Sequence, residues 1–251
     1  MRAARVSQAV FAATLVGLGI LGLVKGDFTP VWEPLPKGVP AREILVYLCA
    51  LVSLGAGLGL LWPRSAPMAA RVLFASLLLW WLCFRVPWLF RAPKAQDSWS
   101  GCAETGVMVA ASWVLYTWFT ARVRTLRGAH VLYGLALVVF GLAHFRYPKE
   151  TASLVPGWLP AHAAWAYFTG AAFVAAGAGV LTGFLARLAA ALSALELGLF
   201  TLLVWLPIVA AGTKDPYQRS EAILSWALAI GAWVVADSYR GGAPAAAAVS
   251  P

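Results

Sequence analysis

Charge is what this chain has least of. Of its 251 residues only 10 are Asp or Glu and 19 are Lys or Arg, so charged residues make up 12%, about half the share of an ordinary soluble domain. That leaves too little polar surface to wet a globule of this size, which excludes a water-soluble enzyme. Histidine and cysteine are scarce as well, at three each, with no His-x-x-x-His or Cys-x-x-Cys pair. No metal site, zinc and haem included, is therefore expected. The formal charge of +9 does not make the chain a nucleic-acid binder. Such proteins gather Lys and Arg on one accessible face, whereas here they fall one to three at a time between apolar runs. Membrane lipids are the expected surroundings, and no nucleic-acid partner is expected.

What the chain does have is long apolar runs. Apolar residues make up 61% and mean hydropathy is +0.78. The runs reach about 20 residues, enough to cross a hydrocarbon core roughly 30 Å thick. Charge, Pro and Gly bound them near Val6 to Val24, Ile44 to Trp62, Met68 to Phe90, Glu104 to Ala121, Ala129 to Phe145, His162 to Phe184, Arg187 to Val209 and Glu221 to Tyr239. The first run, preceded by Arg2 and Arg5, resembles a secretory signal. No small-x-small cleavage site follows it, and it is read as a structural helix.

The runs repeat. Adding 120 takes Pro36 to Pro156, Pro40 to Pro160, Tyr47 to Tyr167, Gly57 to Gly177, Gly59 to Gly179, Pro87 to Pro207 and Trp113 to Trp233. Before that register, Gly17 to Phe28 matches Gly134 to Phe145 at an offset of 117. One register shared by special-purpose residues marks an internal duplication. The expected fold is all-α and membrane-integral, with eight spans in two tandem four-helix bundles. An even span count per copy gives both copies the same orientation, with a symmetry axis along the membrane normal, unlike inverted-repeat transporters. The expected units are 1–121, a basic linker 122–128, a second repeat 129–239 and a disordered tail 240–251 reading GGAPAAAAVSP after Arg240.

Nine Lys or Arg fall on the side of the N-terminus and ten on the other, so the raw count does not orient the chain. The N-terminal side has short connections carrying Arg2, Arg5, Arg64, Arg122, Arg124, Arg127 and Arg187 with almost no acids. The other side mixes Lys25, Lys37, Lys94, Lys149 and Lys214 with Asp27, Glu33, Asp97, Glu150 and Asp215. Basic density in short loops places both termini in the cytoplasm of a multi-pass cell-membrane protein.

Several residues invite a chemical role. GLGILG at Gly17, Gly19 and Gly22 spells a dinucleotide fingerprint, but it lies inside an apolar span with no strand before it, so helix packing is expected. Gly55, Gly57 and Gly59, with Gly177 and Gly179, read the same way. Glu196 lies near the middle of the seventh span, where an uncompensated charge costs at least about 2.5 kcal/mol. It is either a ligand-binding carboxyl or a structural hydrogen-bonding group. Arg85 is expected to snorkel to a surface, as is Arg71. His144 and His162 flank one loop, where with Glu150 they either shape a polar mouth or are simply solvated. Cys49, Cys83 and Cys102 are either apolar fillers or, on an oxidising side, one disulfide and a free thiol. Trp32, Trp62, Trp88, Trp99, Trp118 and Trp158 sit at expected interfaces. Trp80, Trp81, Trp113, Trp205 and Trp233 lie deeper, as packing or as a platform for a flat ligand such as a quinone.

The run from Gly141 to Gly170 resembles the DoxX-like family of small four-helix membrane proteins. Gly141, His144, Phe145 and Pro148 fit its Gly-x-x-His-Phe-x-x-Pro start. Val155, Pro156, Leu159 and Pro160 fit its loop, and Tyr167 and Gly170 its Tyr-x-x-Gly entry. The first half keeps Pro36, Val39, Pro40 and Tyr47, with Asp27 in place of His144. Phe173 stands where many members carry Glu, and Leu206, Pro207, Ile208 and Val209 replace a Pro-x-Asn ending. The resemblance implies an auxiliary subunit of a membrane redox system, with a quinone or other lipophilic ligand and a partner redox subunit. The residues expected to face that ligand are Glu196, Trp205, Trp233, Trp113 and His144. A non-redox lipid or terpenoid carrier and a purely structural partner, including a homo-oligomer, are the alternatives.

Overall fold

The computed structural model describes residues 2–33, 38–120 and 122–240. Pro36 and Lys37, and the tail beyond Arg240, lie outside the described residues. Among the described residues the chain is all helix, with no strand. The helices are α1 (Arg2–Lys25), α2 (Arg42–Leu61), α3 (Ala66–Arg91), α4 (Gln96–Thr120), α5 (Leu126–Arg146), the short α6 (Pro148–Ser153), α7 (His162–Thr182), α8 (Ala186–Ala210) and α9 (Pro216–Asp237).

Seven of these are long and apolar enough to cross a membrane: α1 from Val6 onward, α2, α3, α5, α7, α8 and α9. This is a multi-pass membrane protein by length and composition. The other long helix, α4, carries Asp97 and Glu104 in its first turns and is not among those seven, yet it is thoroughly enclosed. Val107 to Ala111, Val114 and Leu115 are all 0% exposed. A helix shielded by protein has no need of an apolar outer face.

The helix starts follow local rules. Pro67 and Pro216 occupy first turns, where a missing N–H costs nothing, and the Asp215 carboxylate accepts the Tyr217 N–H at 2.9 Å to cap α9. Ala41 and Ala161 enter α2 and α7 with φ of 56° and 57°. In α3 and α8 the helix widens into one π turn, at Trp81–Arg85 and Thr201–Trp205. Proline explains the position of both: Pro87 and Pro207 lack an N–H and crowd the carbonyls four residues earlier, at Cys83 and Leu203. Each pair of features is 120 residues apart, as 81 to 201 and 41 to 161 show.

Each helix packs on the next, from α1 through α5 to α7, α8 and α9, and α9 closes the circuit against α1. Helices α4 and α9 also touch each other, at Gly231 against Met108 and Ala111. The arrangement corrects the picture of two bundles merely side by side. The fourth long helix packs on α5 and the last on α1, so contacts cross between the first four long helices and the last four. Glycines set the closest approaches. A Cβ on Gly177 would meet the Gly134 carbonyl oxygen at 2.7 Å, and one on Gly19 would meet the Leu54 backbone nitrogen at 2.5 Å. The GLGILG run is thus α1 packing on α2.

Trp32 is not an interfacial residue. It is buried beneath the loop after α1, donates to Ser53 Oγ at 3.0 Å, and meets Trp80 edge-on at 5.3 Å. Its indole N–H found a partner inside the protein, which removes the reason to stay at the surface.

Candidate functional site

Three groups of polar side chains with ionisable members stand out among the described residues. The first lies where α5 and α8 are linked by buried Tyr133 and Ser193. The fully buried Tyr133 hydroxyl shares a 2.8 Å hydrogen bond with Ser193 Oγ, and Ser193 in turn donates to the Ala190 carbonyl. Glu196 sits beside this pair and is the carboxyl that acts on Tyr133. It is half-buried, and its enclosed Oε1 has no hydrogen-bond partner. His144 lies further along the same face of α5. Its Nδ1 bonds the Phe140 carbonyl at 2.8 Å, and its ring lies against Phe173 and Phe200 at 5.5 and 6.0 Å. This corrects the solvated-loop reading of His144, because α5 continues to Arg146. His162 begins α7, half-buried.

The second group is at the end of α9. His130 Nε2 and Ser238 Oγ are 2.7 Å apart, with the imidazole stacked on Tyr239 at 4.1 Å. Asp237 is enclosed, and its one ion pair is with Arg240 at 3.4 Å.

The third group was not visible as a unit in the sequence. Arg85 does not snorkel. It is 6% exposed and turned inward, its Nη1 lying where a side chain on Gly101 would be. The π turn is the cause: buried positions in α3 step from Leu77 to Trp80 and then to Arg85, five residues on. One added residue rotates the helix by about 100° and brings the guanidinium onto α4. Glu104 is the acid that acts on Arg85 most strongly, followed by Glu33 and Asp97. Glu221, near the start of α9, feels Glu104, Asp97 and Glu33 in turn. Glu33 reaches this end of α9 through Ser220, whose hydroxyl donates to it at 3.5 Å. The signal in the sequence was the coincidence of a span arginine two residues before a proline with a glycine, Gly101, near the start of the next span.

The five residues expected to share a ligand do not meet in one cavity. Trp205 is buried in the π turn of α8. Trp113 packs on Phe74 at 5.2 Å and donates to Thr125 Oγ1, with Gly128 making room for its ring. Trp233 lines a lipid-accessible groove of about 360 Å³ between α8 and α9, with Ala194, Leu195, Gly198, Trp226 and, at one end, Arg240. A second groove of about 420 Å³ separates α1 from α9 at Thr14, Gly17 and Trp226. Glu196 and His144 line neither groove. Among the described residues no group of His, Cys, Asp and Glu could hold a metal ion. Cys49, Cys83 and Cys102 are all free thiols, which corrects the disulfide reading.

A family described as a domain of unknown function (DUF8561) matches residues 133–238. No curated protein and no solved structure matches the chain.

Proposed function

We propose that the chain is an eight-span cell-membrane protein, two tandem copies of a DoxX-like four-helix unit with both termini in the cytoplasm. In this reading it holds a lipophilic small molecule of the quinone class for a partner redox subunit. The supporting observation is the α8–α9 groove. Its wall is nearly all apolar, Trp226 and Trp233 offer flat faces, and Arg240 supplies a donor at one end. An isoprenoid tail and a carbonyl-bearing ring match those three features. The Gly141 to Gly170 resemblance supports the redox setting, and the spacing of 120 between paired helices supports the duplication. Glu196 and His144 act from behind α8, as parts of the scaffold that supports the groove wall.

Purified protein should release about one quinone per chain on solvent extraction, identified by its borohydride difference spectrum and by mass. Gly198→Leu should abolish it. Gly198 lines the groove, and nothing lies within 4 Å of a Cβ placed there, so the leucine fills the groove without parting helices. Quinone absent from the native protein, or unaffected by Gly198→Leu, refutes the reading. A stoichiometric terpenoid or lipid without redox chemistry would establish the carrier instead.

A further inference from the structure

Arg85 has no anion. Its Nε is buried without a partner, and among the described residues the ion pairs are Lys25–Glu33, Arg42–Asp27 and Arg240–Asp237. Yet it is 6% exposed, about 9 Å from the end of α3 at 1.5 Å per residue. Acids surround it without pairing with it. Glu104 stands three residues beyond Gly101, on the same face of α4 as the slot that takes Nη1. Glu221, near the start of α9, is close enough to feel Glu104, Asp97 and Glu33. A guanidinium whose buried Nε–H has no acceptor is thus held near carboxyls that make no ion pair with it. A buried guanidinium is costly in low dielectric without a partner.

We infer that this cluster, where Arg85 lies against the start of α4, binds a zwitterion. The anionic oxygens of the ligand sit on Arg85, and its ammonium sits among Glu104, Glu221 and Asp97. A simple anion is repelled by the acids, and a simple cation by Arg85. A metal ion has no close ligand set among the described residues. A ligand carrying both charges satisfies both sides, and charge-assisted hydrogen bonds hold it. Two sources share this chemistry. One is the headgroup of an ethanolamine phospholipid, and the other is a free zwitterion such as an amino acid or phosphoethanolamine. The site is independent of the α8–α9 groove, so the two readings stand or fall separately.

The full chain is reconstituted in nanodiscs holding equal phosphatidylethanolamine, phosphatidylglycerol and phosphatidylcholine, and retained lipid is read by native mass spectrometry. A lipid source predicts about tenfold retention of the ethanolamine lipid over both others, the weight of one charge-assisted hydrogen bond. A soluble source predicts equal lipids and a rise in melting temperature with phosphoethanolamine or glycine in detergent. Glu104→Gln is the deciding variant, because it keeps shape and should lose about tenfold of whichever preference is seen. Gly101→Ala, which crowds the guanidinium slot, and Arg85→Gln should lose binding altogether. Helicity and elution volume certify each variant as folded. Absence of any preference in the native chain, with no response to the soluble zwitterions, overturns the proposal. So does a folded Glu104→Gln chain with undiminished selectivity.

Discussion

Replacing Gly177 with alanine should destabilise the protein although alanine is the better helix former. Its Cβ would lie 2.7 Å from the Gly134 carbonyl oxygen and 2.7 Å from Val138 Cγ2, against 3.4 Å for ordinary contact, so 0.7 Å must be found. The backbone atom cannot swing aside as a side-chain tip would. Nor can the helices part at one point, because a Cβ on Gly141 or Gly170, farther along the same pair, would meet the opposite carbonyl oxygen at 2.5 or 3.2 Å. Overpacking of this kind costs about 1–3 kcal/mol, while the Gly-to-Ala propensity gain returns at most about 1 kcal/mol. Gly55→Ala is the control. Gly55 sits in the same motif of small residues as Gly57 and Gly59, yet nothing lies within 4 Å of its Cβ position, so only the propensity gain remains. The two variants should differ by about 2 kcal/mol, measured by unfolding in mixed detergent with helicity as the signal. Equal stabilities would refute the claim that Gly177 marks a backbone-to-backbone approach.

Other expectations follow from single contacts. Asp27 lies in the loop after α1; burial pushes its carboxyl up, but the Arg42 hydrogen bond, the Phe28 N–H and the charges of Arg42 and Lys25 outweigh it and hold it below the ordinary value. A lowered value in the folded state means stability that is complete above about pH 4 and lost as pH falls through the folded value. Asp27→Asn should therefore flatten the acid limb of a stability profile. The loss is at most about 1 kcal/mol, because the 2.7 Å pair with Arg42 is a third exposed or more; an unchanged acid limb would refute the role of the pair. A membrane-permeant maleimide should label Cys83 alone in the folded protein and all three cysteines after denaturation, since Cys49 and Cys102 are buried; labelling of Cys102 in the folded state would show that α4 is looser than described. A fluorescent protein fused after residue 251 should be bright in the cytoplasm, and an active periplasmic phosphatase fusion there would reverse the proposed orientation.

The apolar runs predict seven of the long helices to within a few residues because a lipid-facing helix must be apolar along its whole length. The same logic was weaker for α4, which meets protein on most sides and begins eight residues before its expected start at Glu104. Helix partners were out of reach. That α4 packs on α5 and α9 on α1 depends on which small residues meet, and periodicity does not carry that. Arg85 was misplaced for a definable reason. A regular 3.6-residue period puts it near the surface, and the π turn before Pro87 changes the phase.

That phase change also bears on the proposed duplication, in which scaffold residues match at the 120-residue offset and charged residues do not. Both π turns sit before a proline, and both deliver a residue to the mouth of the next helix: Arg85 in one half and Trp205 in the other. Arg85 lies against Gly101, whose counterpart at the same offset is Glu221, as 101 to 221 shows. The indole and the guanidinium thus hold equivalent positions in their π turns, and the guanidinium lies against a glycine. Glu104 has Leu224 as its mate, Glu196 has Ser76, and Asp27 aligns with His144. Gly57 and Gly177, by contrast, are both pressed against backbone, and Pro87 and Pro207 both carry a π turn. Packing constrains both copies alike because each must close the same circuit of helices. Charge is expensive in that circuit and persists where a second group, or a ligand, makes it affordable. Residues that match across the repeat are thus the place to probe stability, and unmatched polar residues around Arg85 are the place to probe binding.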